Sequence, residues 1–432
     1  MFKRKPNFSF YAIVVSLIIG AIIGFYQIQP PSVDRDSPIY PVFLQMMENI
    51  ERWTQSPRPI GSEKLELVRA EIVSEIEGMG FSPIVQSIEN INIRLNDIDV
   101  DVQNILVKLE HPDANRSVLF MAHYDSVPIS PGAGDNMVAV AALLEGLRSL
   151  AENSELKNNI YILFTDSEEF GLLGSRGFIA EHLDLLDKID MVINIDGTGS
   201  GGVALFERTP MSYSLVLFYR NAAVKPIGFS LASFIYNMMP MVSDLMPFAE
   251  IGLNGFSISA MEGMNTWHTV MDSFENLSED TAWHYLLNIL ALVEYVANNN
   301  LDELATTQQE TVFFPFFPGI LVVMSVTVSN IFGIAVCFLA ILAFIYKLRQ
   351  KPFKATLSDI CMGLLLVLTA LTVVFVASGS YLFSIPLLLF VACLSIKKWR
   401  VVDTAFCGLS CTIVMLLWFP VAYLSARILF RV

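Results

Sequence analysis

The sequence predicts a three-layer α/β domain, a mostly parallel central sheet flanked by helices, joined to transmembrane α-helices. Three observations predict it. Between residues 30 and 310, short β-branched apolar runs alternate with stretches of helical apolar spacing, the pattern of a sheet covered on both faces. Carboxylates and histidines cluster directly after those runs, where open α/β sheets bind their ligands. The long apolar runs lie outside this segment, at 8–26 and throughout 313–432.

Each element has its own signal. Segments 39–50 and 64–78 have helical apolar spacing. Ser62 is placed to cap the second, and Arg58-Pro59-Ile60-Gly61-Ser62 is the turn between them. Segments 104–109 and 117–121 read as strands, and 137–151 as a helix. Segment 160–164 reads as a buried strand, with a helix from about Gly171. The next strands are 191–195 and 254–259, and 279–297 is a long helix. Segment 313–328 is apolar but broken by Pro315 and Pro318, and reads as an interfacial or re-entrant piece. There is no internal repeat and no low-complexity tract.

A chain of 432 residues that is 54% hydrophobic, with mean hydropathy +0.54, is too apolar to be wholly soluble. About 20 apolar residues cross a bilayer as a helix. Spans are expected at 8–26, 325–346, 357–377, 381–396 and 402–424. Three regions follow: 1–29, an N-terminus with an anchor; 30–310, a globular domain; and 311–432, a membrane region with about four helices. Lys3, Arg4 and Lys5, then Lys347, Arg349, Lys351 and Lys354, then Lys397, Lys398 and Arg400 flank these spans. A cytoplasmic N-terminus puts all three clusters inside and the globular domain outside, in a periplasm or lumen. Arg427 and Arg431 fit this arrangement less well. No small-x-small site follows the first apolar core, which favours an uncleaved anchor over a signal peptide.

The net charge of −15 is uneven. Residues 30–310 carry 40 acidic and 15 basic side chains, a net of about −25. Such a domain is a poor partner for nucleic acid or anionic lipid, although solubility alone explains most of this charge. Cys337, Cys361, Cys393, Cys407 and Cys411 all fall in the membrane half. The globular domain has neither a disulfide framework nor a thiolate metal site, and its length suffices for a large core.

Five stretches carry the chemistry. His123 ends a strand and offers an imidazole to a metal; Asp125 is spaced to take the other ring N–H and fix the tautomer. By itself a His-x-Asp pair is more often a surface loop. Asp135 lies in Pro131-Gly132-Ala133-Gly134-Asp135-Asn136 before a helix. Alone it reads as an N-cap, yet its two oxygens suit a bridge between metals. Glu168 and Glu169 leave a strand together and can divide their roles, one binding metal and one moving protons; an isolated pair is usually a solvated turn. Asp196 ends a very apolar strand, where an ionised carboxylate needs a partner. His268 lies in a turn-rich segment; His111, His182 and His284 read as surface or packing residues. Together His123, Asp135, Glu169, Asp196 and His268 supply nitrogen and oxygen ligands for two divalent ions about 3.5–4 Å apart. Zinc suits the mixture best, with cobalt or manganese also compatible.

In order, His123-x-Asp125, Gly132-Ala133-Gly134-Asp135-Asn136, Glu168-Glu169-x-Gly171-Leu172-x-Gly174-Ser175, Asn194-x-Asp196 and His268-Thr269-x-x-Asp272 resemble the M28 family of zinc aminopeptidases. The resemblance covers roughly 40–300. With an anchor before the domain and spans after it, the chain is similar to the family's membrane-bound branch and to bacterial relatives. The resemblance implies a zinc-exopeptidase-like fold, two Zn2+ per chain and a peptide or protein substrate. It implies Asp135 as bridging ligand, His123 and Asp196 on one metal, and Glu169 and His268 on the other. Glu168 would be the general base for a metal-bridging hydroxide, and Asp125 would orient His123. Trp267 stands where the family often has Tyr, and Asp244 resembles a family position near the site.

Three other readings compete. A binding domain that has lost catalysis would lack ligands, yet all five ligands and the base are present. Glutaminyl cyclisation occurs in relatives with one zinc, whereas this set suits two. A transporter needs ionisable groups within its spans, and Asp359 and Asp403 lie near expected cytoplasmic ends. Asn115-Arg116-Ser117 and Asn276-Leu277-Ser278 are glycosylation sequons.

Overall fold

A computed structural model describes residues 22–93, 98–151, 156–206, 212–230, 242–305 and 311–350, with Val15 and Ile19. The chain divides into two compact units, Pro30–Thr311 and a second made of Met1–Gln29 with Val312–Val432.

The first unit opens with helices α1 (Tyr40–Trp53) and α2 (Glu63–Gly78). Ser62 caps α2, its Oγ accepting from Leu65 N at 3.2 Å. Strands β1 (Ile84–Ile93), β2 (Ile98–Leu109) and β3 (Ser117–His123) follow. A π-turn at Ala133–Met137 leads into α3 (Val138–Ser149). Next come β4 (Asn159–Thr165), α4 (Leu173–Glu181), α5 (Leu183–Leu186), β5 (Met191–Gly197) and β6 (Gly201–Phe206). Helix α6 (Tyr213–Ala222), α7 (Leu245–Glu250), β7 (Gly255–Glu262) and α8 (Glu279–Asn298) complete the unit.

Seven strands form one sheet in the order β1-β2-β4-β3-β5-β7-β6. The central strands β4, β3, β5 and β7 are parallel to one another, while β2 and β6 run against them. Every residue of β3 and of β5 is buried, as expected of strands covered on both faces. On one face Leu119, Met121, Leu163 and Val192 pack with Phe178 of α4 and Phe248 of α7. The other face meets α3 and α8. Residues Val138 through Leu147 of α3 are all buried, so it is a core helix rather than an amphipathic one. Gly146 lets α8 approach: a Cβ there would lie 2.8 Å from Ile289 Cγ2. Phe43 of α1 closes this layer edge-on against Trp283, with ring centroids 5.3 Å apart.

The fold is thus the expected mixed α/β architecture with a mostly parallel centre, though the antiparallel strands were not all foreseen. Strand β2 begins at Ile98, before the expected 104–109, and β1 pairs along it from Ile98 to Leu106; β6 begins with Gly201-Gly202, an atypical strand start. Helices α6 and α7 were not foreseen either.

The second unit corrects one expectation. Segment 313–328 is largely a two-stranded sheet, β8 (Thr311–Phe317) with β9 (Ile320–Ser325), not a re-entrant piece. Pro318-Gly319 separates two apolar runs, and Gly319 has a φ of 77°; that is a turn signal. Pro315 is tolerated because a two-stranded sheet has only edge strands. Helix α9 (Val326–Gln350) covers the span expected at 325–346. Among the described residues, however, no helix is long and apolar enough to cross a membrane, and α9 is described for only part of its side chains. The spans expected at 357–377, 381–396 and 402–424, and most of 8–26, lie outside the described residues.

Candidate metal centre

The carboxyl ends of β3, β4 and β5, with the loop after β7, bring together His123, Asp125, Asp135, Glu168, Glu169, Asp196 and His268. His123 is the last residue of β3. Its Nε2 lies 3.1 Å from Asp135 Oδ1 and 3.6 Å from Asp196 Oδ1. His268 Nε2 lies 3.2 Å from Asp135 Oδ2 and 2.9 Å from Glu169 Oε2. Two groups result, His123–Asp135–Asp196 and Asp135–Glu169–His268, each with its ligand atoms within 4.8 Å of one another. Asp135 belongs to both and offers a different oxygen to each.

The local backbone explains this convergence. Asp135 sits in the π-turn with non-helical φ and ψ, so its carboxylate leaves the line of α3 and is no N-cap. Asp272 holds that turn from below, its two oxygens accepting Gly134 N at 2.7 Å and Asp135 N at 3.1 Å. Asn136 Nδ2 donates to Ile195 O at 2.8 Å, tying the turn to β5. A Cβ on Gly197 would collide with Gly134 O, so glycine is required where β5 passes the turn. His268 has a φ of 55°, a left-handed conformation uncommon in a non-glycine residue.

Asp125 lies 3.4 Å from His123 Nδ1 through Oδ1. It also accepts Glu168 N at 3.0 Å on Oδ1 and Glu169 N at 3.2 Å on Oδ2. It therefore holds the paired glutamates as well as facing the histidine. Arg58, read from sequence only as part of a turn, is fully buried. Its guanidinium donates to the carbonyls of Trp53, Tyr124, Pro131 and Gly132 at 3.2, 3.1, 2.5 and 3.2 Å. It laces the loop after His123 to the loop before Asp135. Nothing in the sequence marked this role, because the acceptors are backbone atoms of distant segments. Asp244 is buried and takes a short hydrogen bond from Thr165 Oγ1, while its Oδ1 has no hydrogen-bond partner.

The electrostatics show a centre short of positive charge. Burial drives Glu168 well above the usual carboxylate range; Asp196, Asp244 and Glu169 add to this, and His123 opposes it. Burial and Asp135 raise Glu169 to about 8 despite His268. Burial puts Asp244 and Asp272 both at about 6. Burial would lower both histidines, but the carboxylates outweigh it: His123 is well above the ordinary imidazole value and His268 is at about 10. Burial would likewise raise Asp135, but hydrogen bonds to the two histidines hold it well below the usual range. Arg58 is pushed down to about 10 by burial.

So many carboxylates around one buried arginine favour a bound cation. Glu169 Oε1 is buried with no hydrogen-bond partner. An unpartnered carboxylate oxygen beside imidazole nitrogens fits a divalent metal, and the nitrogen-oxygen donor set fits zinc.

Residues 104–293 match the model of peptidase family M28. The vacuolar membrane protease of Candida dubliniensis is 27% identical over 291 residues, covering 66% of this chain and 31% of that protein. The vacuolar membrane protease of Saccharomyces cerevisiae is 33% identical over 216 residues, covering 49% of this chain and 22% of that protein. The chain thus spans less than a third of the length of these curated relatives. Among solved structures, a glutaminyl cyclase from Fimbriiglobus ruber has a TM-score of 0.50 at 16% identity, over 61% of this chain and 97% of that chain. That likeness is one of fold.

Proposed function

On the premise that residues 104–293 are a peptidase family M28 domain, we propose that this chain is a membrane-anchored zinc aminopeptidase that hydrolyses N-terminal peptide bonds. The observation that carries the reading is the pair of ligand groups sharing Asp135. His123 and Asp196 would hold one ion with Asp135 Oδ1, and Glu169 and His268 the other with Asp135 Oδ2. Bound there, two divalent ions supply Lewis acidity, making water a nucleophile near neutral pH and polarising a carbonyl.

The protein's own groups do the rest. Glu168 leaves the strand beside both ligand groups without belonging to either. As general base it takes a proton from the attacking water and delivers it to the departing amine. Asp125 fixes Glu168 and Glu169 through their backbone amides and keeps the His123 ring oriented. The acidic surroundings suit the free α-ammonium of a peptide. The net of about −25 over residues 30–310 argues against nucleic acid as a partner, and the peptidase reading makes peptides or proteins the substrates. The apolar runs at 8–26 and beyond 325, with relatives named as vacuolar membrane proteases, support a multi-pass membrane protein. Its N-terminus would be cytoplasmic and its domain extracytoplasmic.

The test is elemental analysis of the purified chain, together with hydrolysis of aminoacyl-nitroanilides with and without chelator. About two zinc per chain and chelator-sensitive cleavage are expected. A folded chain that takes up no metal overturns the reading and leaves a peptidase-like binding domain.

A further inference from the structure

Asp135 is not symmetrical. Its Oδ1 faces His123 Nε2 at 3.1 Å, whereas its Oδ2 faces His268 Nε2 at 3.2 Å and also accepts the indole N–H of Trp267 at 2.6 Å. The same indole lies against the ring of His268, with centroids 4.0 Å apart and an angle of 32°. Trp267 thus touches both the shared carboxylate and the histidine of one ligand group, whereas His123 in the other faces Asp125 at 3.4 Å and Asp196 accepts from Gly197 N at 2.8 Å and Asn194 Nδ2 at 3.4 Å. The two histidines differ to match: the side chain of His123 is 3% exposed and that of His268 is 34% exposed. His123 is held by β3, while His268 sits on a loop in a left-handed conformation.

An indole N–H donates and cannot accept, so it can only fix one lone pair of Oδ2 and leave the other in a set direction. The carboxylate plane and the His268 ring are thereby oriented together. We propose that Trp267 is the positioning residue of the Asp135–Glu169–His268 metal position, which depends on it more strongly than the His123–Asp135–Asp196 position, because the indole holds His268 as well as the shared carboxylate. The inference rests on the two-metal reading above. It departs from the usual tyrosine at this place, because a phenol both donates and accepts and rotates freely about its oxygen.

The experiment uses the full chain, stripped of metal and titrated with zinc ions against a chromophoric chelator. Wild type is expected to bind zinc in two steps. Trp267→Phe keeps an aromatic ring beside His268 and removes the donor. It should weaken the second step by about 10–100-fold, the usual cost of losing a group that orients a ligand, and weaken the first by clearly less. Equal weakening of both steps would mean a general structural role, and no change in either would mean none; each overturns the proposal. Wild type that binds no zinc sinks the metallopeptidase reading instead, so the two failures are distinct. Should Trp267→Phe not fold, wild-type chain labelled with 5-fluorotryptophan serves. One of its five tryptophan resonances should shift with the second zinc equivalent, and five unmoved resonances overturn the proposal.

Discussion

The helical layer and the strand-end loops of the same unit obey opposite rules. In the layer of α1, α3 and α8, apolar side chains are buried and most of the few polar ones are paired, although Glu145 Oε1 and Asn288 Nδ2 have no hydrogen-bond partner. His284, for example, accepts from Ala204 N through Nδ1 at 3.1 Å and meets Val224 O through Nε2 at 2.9 Å. At the strand ends, carboxylates are buried together, His268 and Ser167 have positive φ, and oxygens of Glu169 and Asp244 lack partners. The first region maximises stability; the second sacrifices some of it to hold charge in place. Local rules that fail together in one place mark a functional site.

The sharpest way to break this contrast is Glu168→Gln. Turnover should fall by about 10²–10⁴-fold, the range for a lost general base, with zinc content and melting temperature close to wild type. Near-normal turnover would remove Glu168 from the chemistry. The converse substitution, Leu144→Ala in the fully buried stretch of α3, should cost about 2–5 kcal/mol of stability. It should leave the turnover of the folded fraction unchanged; denaturant titration with parallel activity assays would show this. If turnover collapsed as well, the two regions would not be separable.

The finest test is pH. Burial lowers His284 to about 4, against about 6.5 in an unfolded chain. The unfolded state therefore binds more protons between these values. The stabilisation is complete above pH 6.5, is lost as pH falls towards 4, and amounts to about 3 kcal/mol at most. Urea midpoints between pH 7 and 4.5 should show this slope, reduced in His284→Gln. A slope identical in both proteins would mean that His284 is not the group responsible.

Much of the candidate site was legible in the sequence because four of its residues follow apolar runs. His123, Glu168, Glu169 and Asp196 follow strands that the β-branched pattern already marks. Asp135 and His268 were harder. A carboxylate before a helix is ordinarily a cap, and only the non-helical turn at Asp135 turns it towards the histidines. The roles of Arg58, Asp272 and the Trp267 N–H were not legible, since most of their partners are backbone atoms or side chains more than 60 residues away. Strand β6 and the β8–β9 pair were missed for a different reason: glycines and prolines weaken a strand pattern that pairing then rescues.

By itself the sequence determined the alternation of strands and helices, the confinement of the long apolar runs to both ends, and which residues are candidates for the chemistry. Periodicity and residue type are local properties, and the hydrophobic effect acts on them directly. Only the tertiary structure decided which oxygen of Asp135 meets which histidine, that Asp125 holds two amides, and that the Trp267 indole donates to Asp135 Oδ2 while lying against His268. Those outcomes depend on distances of a few ångströms between segments far apart in the chain, which packing of the whole sheet fixes and local pattern does not encode.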